Sequence, residues 1–369
     1  MKIGIDARLW NESGVGRYTR NLIKNLIKID KKNQYVIFTL SKNKTEIEKL
    51  LTKNFKIVVV NFRWHSIEEQ AYFPAVLNKK KLDLVHFPYF SVPIFYKKPY
   101  VVTIHDLIID HFPTGKASTL NPLVYGTKRL TYKFVVSKSA KKAKKIITVS
   151  NATKQEIVDH LKINSDKVVI TYEGVDKDLL KAKTVKKKSD YFLYVGNAYP
   201  HKNLENLLLA YIKFSKNNPG IKLILAGKED FFYKKIKRRI NELGLDKNVF
   251  IQFPKGDNEL STLYKNAIAL ILPSYMEGFG LPVLEAMSLK CLVLASNIRP
   301  IKEITKGQAF LFNPDSTTDI AEKMSYALSK SKEKEIEEIK IKAFEIAKSF
   351  SWEKMAKETL KVYEGSISI

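Results

Sequence analysis

Glu277 and Glu285 are separated by seven residues in Tyr275-Met-Glu-Gly-Phe-Gly-Leu-Pro-Val-Leu-Glu285, directly after the apolar run 268–272, and the segment reads as strand, glycine turn and helix. Gly278 and Gly280 reach φ values closed to other residues and let a ligand approach the backbone, while Pro282 suits a first helical turn, where its missing N–H has no partner to lose. The amides ahead of that helix, from Gly278 through Phe279 and Gly280 to Leu281, make an anion site. Glu277 then precedes the turn and faces the ligand. Glu285 stands one turn into the helix, where a carboxylate can accept hydrogen bonds from two adjacent hydroxyls. A sugar and a ribose flanking a diphosphate have the matching chemistry. The spacing alone also fits a Gly-Pro turn with two solvated glutamates, so the rest of the chain has to decide.

Further candidates sit directly after apolar runs, where open α/β sheets place their ligands. His105 follows Val101-Val-Thr-Ile104 and precedes Asp106; His86 follows another run and has no metal or base partner in sequence. Gly14-Val-Gly16 opens the first helix, where glycine amides can approach a diphosphate or an acceptor, but the third glycine of a dinucleotide fingerprint is missing. There is no Gly-x4-Gly-Lys phosphate loop. In the loop Gly196-Asn197-Ala-Tyr-Pro-His-Lys202-Asn203, the Lys202 ammonium is a point charge suited to a leaving diphosphate, with His201, Arg17 or Lys228 as possible helpers. Asp176-Lys-Asp178 matches a metal-binding Asp-x-Asp pattern but lacks the strand pairing such a motif needs. No other carboxylate, histidine or cysteine cluster has metal spacing, so neither metal nor cofactor is expected.

Strand-like runs at 2–6, 35–40, 56–60, 84–87, 100–104, 145–149 and 167–170 alternate with helical patterns, the first at 15–29. A lysine-rich, nearly apolar-free stretch at 181–189 reads as a linker. A second series follows, with strands at 191–195, 222–226, 249–253, 267–272, 292–295 and 309–312 and a last helix at 352–363. The pattern predicts two doubly wound, Rossmann-like parallel-sheet domains facing across a cleft. Their bounds are 1–175 for the first, 176–190 for the linker and 191–350 for the second, followed by a last helical segment at 351–369. A length of 369 residues is consistent with two cores.

The longest apolar runs fall far short of the roughly 20 residues of a membrane span, and Met1-Lys2-Ile3 begins a strand rather than a signal peptide, so a cytoplasmic protein is expected. The single cysteine, Cys291, lies in an apolar run and reads as a core residue in a reducing compartment. The net charge is +26, and residues 1–175 hold 31 Lys and Arg against 14 Asp and Glu. Such a field draws anionic bilayers, nucleic acid or phosphorylated substrates. The span 121–145 interleaves Tyr125, Leu130, Tyr132, Phe134 and Val135 with Lys128, Arg129, Lys133, Lys138, Lys141, Lys142, Lys144 and Lys145. It reads either as a basic amphipathic helix for an anionic membrane face or as an ordinary helix with solvated lysines. Nucleic acid is disfavoured because no recognised reading motif is present.

Six segments, in order, resemble the retaining GT-B glycosyltransferases of family 4, which include glycogen synthases, sucrose synthases and bacterial mannosyltransferases. They are Gly4-Ile-Asp-Ala-Arg8 with Ser13-Gly-Val-Gly-Arg-Tyr18, Thr103-Ile-His-Asp106, Thr148-Val-Ser-Asn151, Tyr172-Glu-Gly-Val-Asp176, Tyr194-Val-Gly-Asn197 with Pro200-His-Lys-Asn203, and the Glu277 segment. The resemblance implies a GDP- or UDP-linked sugar as donor and a glycan or lipid-linked acceptor. It implies that Glu285 holds the ribose hydroxyls, that Glu277 and His105 meet the transferred sugar, and that Lys202 with the amides of 278–281 holds the diphosphate. The family more often has arginine at Asn197, which leaves the diphosphate clamp one charge short. Retention is explained there by front-face attack, with the departing phosphate taking the acceptor proton. A sugar-nucleotide epimerase of the same fold and a soluble glucan synthase are the alternatives; the latter's longer N-terminal lysine signature is missing.

Overall fold

The computed structural model describes residues 1–112, 122–183, 190–331 and 333–367, with the side chains of 122–125, 127 and 128 left out. The chain divides into two compact units, Met1–Glu173 with Ser351–Ile369, and Gly174–Phe350. The first unit holds β1 (Lys2–Asp6), β2 (Gln34–Thr39), β3 (Phe55–Val59), β4 (Leu84–Phe87), β5 (Tyr100–Thr103), β6 (Lys145–Thr148) and β7 (Val168–Ile170). They form one parallel sheet in the order β3-β2-β1-β4-β5-β6-β7. The second unit holds β8 (Tyr191–Val195), β9 (Lys222–Ala226), β10 (Val249–Gln252), β11 (Ala269–Leu272), β12 (Leu292–Ser296) and β13 (Phe310–Phe312), parallel and ordered β10-β9-β8-β11-β12-β13. Each unit is thus a doubly wound α/β domain whose strand order reverses once, between β1 and β4 in the first and between β8 and β11 in the second. Ligands of open parallel sheets sit beyond the strand carboxyl ends at such reversals.

Near-continuous apolar strands explain why both faces of each sheet are covered by helices. Val85, Val102 and Ile146 are fully buried or nearly so, together with Phe38 and Phe73, in the first unit's core. The strand ends match the sequence expectation to within one or two residues. The largest difference is at β11, where Ala267 closes the preceding helix Asp257–Asn266 through its N–H to Tyr264 O and the ladder starts two residues later. The last helix, Trp352–Ile367, runs longer than 352–363 and packs on the helix Gly14–Ile29 inside the first unit. Within the expected linker, Lys177–Lys181 is helical and packs on Asp257–Asn266, while 184–189 lie outside the described residues. Cys291 is buried, and burial pushes its thiol up to about 12. No helix among the described residues is long and apolar enough to cross a membrane.

The basic span forms the helix Pro122–Lys142. Asn121 lies outside the described residues, as do the side chains of Tyr125 and Lys128. Val136 and Ala140 are buried, whereas Leu130 and Phe134, one turn apart, are 70% and 55% exposed. The Lys138 ammonium lies 5.0 Å from the Phe134 ring centre. Lys145 leaves the group of available lysines, because its ammonium donates to Asp166 O at 2.8 Å.

Candidate active site

At the strand reversal of the second unit, two loops bring charged residues together. The first leaves β8, passes Gly196 and Asn197, makes a 3-10 turn at Pro200–Lys202 and enters the helix Leu204–Ser215 through Asn203 in a left-handed conformation. The second leaves β11 and enters the helix Leu281–Ser288 at Gly280. Gly280 has φ 105°, and a Cβ there would stand 2.8 Å from Ile301 Cδ1, so glycine is needed on both counts. Tyr275 N donates to His201 O at 2.8 Å, and the Asn203 side chain donates to Pro273 O at 3.0 Å and Pro314 O at 2.8 Å, which ties the loops together.

The Lys202 ammonium donates to both oxygens of Glu277, at 2.7 and 2.8 Å. Their side chains are only 13% and 8% exposed. Burial pushes the Glu277 carboxyl up, but the adjacent Lys202 overrides it and holds the group below the usual carboxylate range. Burial and the same lysine push His201 down to about 4, so it is neutral near pH 7 and adds no charge to the site. Glu285 stands just over one turn into its helix, 2% exposed, and accepts a hydrogen bond from the Tyr264 hydroxyl at 2.6 Å. Gly196 accepts from the Tyr233 hydroxyl at 2.8 Å, and Phe279 is buried. Asn197 and Gly278 lie on the same two loops, and Leu281 is the first residue of the helix that follows the second. Chemically, this is a cation held by a carboxylate at the mouth of a helix, beside a second buried carboxylate. A diphosphate arriving here would compete with Glu277 for Lys202 and release Glu277 toward hydroxyl groups.

The first unit carries His105 and Gly16. Ile104 continues the β5 ladder by donating to Ile147 O at 2.9 Å, and His105 follows. Its Nε2 donates to Pro88 O at 3.0 Å, its Nδ1 is 3.6 Å from Glu173 Oε1, and its ring meets the Tyr18 ring edge-on at 4.8 Å. Gly16 has a local structural reason: a Cβ there would come within 2.5 Å of Trp10 O and 2.7 Å of Leu9 O. Gly16 therefore lies in the unit that does not hold Lys202, Glu277 and Glu285. His86 is fully buried between the Tyr363 hydroxyl at 2.6 Å and Thr103 Oγ1 at 2.8 Å, and burial pushes it down to about 3. It ties the last helix to the sheet. Asp176 precedes the helix Lys177–Lys181 and Asp178 lies within it. Among the described residues no group of three or more His, Cys, Asp or Glu could hold a metal ion.

A further polar cluster lies at the strand reversal of the first unit. Arg8 donates to Asp6 through Nε at 2.9 Å and Nη2 at 2.6 Å, to Glu69 Oε1 at 2.6 Å and to Phe62 O at 3.3 Å, over the Phe73 ring at 4.2 Å. Burial alone works against its charge and lifts the Glu69 carboxyl. Every partner of Glu69, namely Arg8, the Ser91 hydroxyl and His65 N, donates to it, which is the arrangement of a carboxylate.

Sequence reasoning did not assign Tyr264, Glu173, Glu69 or the Lys202–Glu277 pair. Glu173 had a signal, since it lies in Tyr172-Glu-Gly-Val-Asp176 just past β7. Tyr264 had none: it sits on another helix, 21 residues before Glu285.

A model of the Glycosyl transferases group 1 family matches residues 176–343, and one of Glycosyltransferase Family 4 matches 13–179. The chain is 30% identical over 240 residues to the O-antigen chain mannosyltransferase RfbU of Salmonella typhimurium, covering 64% of this chain and 62% of that protein. It is 25% identical over 383 residues to the O-antigen chain mannosyltransferase B of Escherichia coli, covering 95% and 96%. The match thus spans less than two thirds of the Salmonella protein. In structure it is similar to a glycosyltransferase from Rickettsia africae, with a TM-score of 0.75, 19% identity and coverage of 99% and 98%. It is also similar to HepE of Anabaena in complex with UDP, with a TM-score of 0.76, 17% identity and coverage of 99% and 100%. Two parallel-sheet domains of this build and two family models that adjoin along the sequence have one reading: the chain belongs to the GT-B glycosyltransferases of the family 4 type.

Proposed function

We propose that this protein is a retaining glycosyltransferase that moves a hexose, mannose first among the candidates, from a nucleoside diphosphate sugar to a glycan or lipid-linked acceptor in surface polysaccharide synthesis. The observation that carries the reading is the buried Lys202–Glu277 pair at the strand reversal of the second unit, beside Glu285. The O-antigen mannosyltransferases among its relatives support mannose and a surface glycan. The structures of HepE with UDP and with UDP-glucose support a nucleotide sugar, and the proposed donor is GDP- or UDP-linked.

In this reading Glu285 accepts hydrogen bonds from the ribose hydroxyls while Tyr264 fixes its second oxygen. Lys202 and the amides of 278–281 hold the diphosphate, with Asn197 as a neutral donor. Glu277 and His105 meet the transferred sugar. The acceptor hydroxyl attacks the anomeric carbon from the face of the leaving group. The bond from that carbon to the diphosphate oxygen breaks, and a diphosphate oxygen takes the acceptor proton. Stabilising that oxygen's growing charge is the main catalytic task, and Lys202 can perform it without a metal. The test is a screen of UDP-, GDP-, ADP- and TDP-hexoses with a mannan-type acceptor in excess EDTA. Acceptor-dependent transfer from one donor is expected; activity that needs magnesium or manganese overturns the metal-free scheme.

The first unit is also proposed to dock on anionic bilayers through the exposed Leu130 and Phe134 with Lys133, Lys138, Lys141, Lys142 and Lys144. Each lysine contributes at most about 1 kcal/mol, and salt screens the attraction within about a Debye length. Co-sedimentation with phosphatidylserine vesicles should fall at high salt and in a variant with Lys138, Lys141, Lys142 and Lys144 changed to glutamine. Sedimentation indifferent to lipid charge and to those lysines makes the acceptor soluble.

A further inference from the structure

Glu173 lies in Tyr172-Glu-Gly-Val-Asp176, just past β7, and closes the first unit. Its side chain is 6% exposed and stands against the ring of His105, which follows β5 and is 11% exposed. We infer that Glu173 is a positioning residue for His105: together with the Pro88 carbonyl it keeps a hydrogen on each ring nitrogen, so that His105 serves as a fixed cation and not as a base. What that cation does for turnover rests on the glycosyltransferase reading; the state of the ring rests on its neighbours.

Hydrogen-bond accounting carries the first step. His105 Nε2 is 3.0 Å from Pro88 O, and a carbonyl can only accept, so Nε2 bears a hydrogen. Nδ1 is 3.6 Å from Glu173 Oε1. In a neutral ring with its hydrogen on Nε2, Nδ1 is a bare lone pair facing that oxygen, which is repulsive. A second hydrogen on Nδ1 turns the same contact into an ion pair. His86 shows the contrast, since its two nitrogens meet the hydroxyls of Tyr363 and Thr103, which can donate or accept, and a neutral ring satisfies both. Burial, and after it the charge of His105, push His86 down to about 3.

The carboxylate's own need is the second step. Among the described residues His105 is the only group of opposite charge within ion-pair distance of Glu173. A buried carboxylate without a counter-charge is strongly disfavoured. The other titratable groups around the ring do not supply one. Burial pushes the Tyr18 hydroxyl up to about 12, His86 is neutral, and Asp106, next in the chain, is itself acidic and accepts from Ile108 N at 3.0 Å.

The third step is position. Pro88 follows β4, His105 follows β5 and Glu173 follows β7, so three strand ends of one sheet set the ring. The fully buried Tyr18 meets it edge-on at 4.8 Å and is backed by the Trp352 ring at 6.4 Å, while the His105 carbonyl accepts from Thr153 Oγ1 at 3.4 Å. With both nitrogens committed, none is left to take a proton from an acceptor hydroxyl. A held positive charge remains, suited to negative charge that develops during reaction. That agrees with a scheme in which a diphosphate oxygen takes the proton.

NMR of isotope-labelled histidine ring nitrogens in the intact protein at neutral pH reads the ring directly, with His105 identified by its loss in His105→Ala. Wild type should show a hydrogen on both nitrogens of His105. Glu173→Gln, whose amide can donate to a bare Nδ1, should show it on Nε2 alone. A bare Nδ1 in wild type, or both hydrogens kept in Glu173→Gln, overturns the inference, and the wild-type spectrum decides the ring state even where a variant does not fold. Turnover of the donor selected by the nucleotide-sugar screen is measured beside it. Glu173→Gln should lower kcat about ten- to a hundredfold with the KM for the donor nearly kept, and Glu173→Asp, which keeps the charge, should recover part of that loss. Wild-type kcat in Glu173→Gln, or equal losses in the two variants, overturns the positioning role. If no nucleotide sugar is turned over while the ring carries both hydrogens, the glycosyltransferase reading fails and the ring assignment stands; acceptor-dependent turnover with a bare Nδ1 gives the reverse.

Discussion

Arg8 in the first unit and Lys202 in the second are each a buried cation on carboxylates at the strand reversal of a parallel sheet, yet they are built for different tasks. Arg8 spreads a planar fork over Asp6, Glu69 and a backbone carbonyl, with side chains of 1% and 0% exposure at its tightest contact. Lys202 places a compact ammonium on one carboxylate, and the pair keeps 13% and 8% exposure. A fork whose donors are mostly spoken for fixes architecture, and its loss strands charge in the core. A point charge with one partner and a spare N–H can trade that partner for a ligand. The comparison teaches that burial of a charged pair does not by itself mark a catalytic group; the number of commitments the cation already has is the better guide.

The comparison breaks most visibly in turnover. Glu277→Ala and His105→Ala are each expected to lower kcat by about two to four powers of ten, with nucleotide affinity nearly kept, because in the proposed scheme both groups meet the transferred sugar and act in the transition state. Steady-state rates near wild type in both variants would remove the site as drawn.

Stability should separate the two cations next. Arg8→Met leaves Glu69 buried without its counter-charge and should cost about 3–5 kcal/mol in urea denaturation. Lys202→Met, at the more exposed loop edge, should cost about 1–3 kcal/mol, nearer the loss of a charge-assisted hydrogen bond. Equal costs would erase the distinction drawn between a structural fork and a ligand-facing point charge.

These contrasts bear on what could be read from the chain alone. Apolar runs placed the thirteen strands found among the described residues, since buried parallel strands must be apolar throughout and that signal is local. The turn ahead of the helix Leu281–Ser288 was legible too, because the signal is local: a positive φ at Gly280 requires glycine there. Pairings between distant segments were not legible. Lys202 and Glu277 are 75 residues apart, Arg8 and Glu69 are 61 apart, and His86 and Tyr363 are 277 apart. Each depends on which strands neighbour one another, which periodicity does not encode. Gly16 has a packing reason that the chain alone did not show: the carbonyls of Leu9 and Trp10 occupy the space a side chain would need.

The donor assignment in the second unit rests most directly on Glu285, whose carboxylate is 2% exposed and steadied by Tyr264. Calorimetry of the preferred nucleoside diphosphate with wild type and Glu285→Ala is the decisive measurement. The account expects the variant to fold and to bind about 1–3 kcal/mol more weakly, the cost of losing a charge-assisted hydrogen bond to the ribose. Unchanged affinity in a folded Glu285→Ala variant would contradict it.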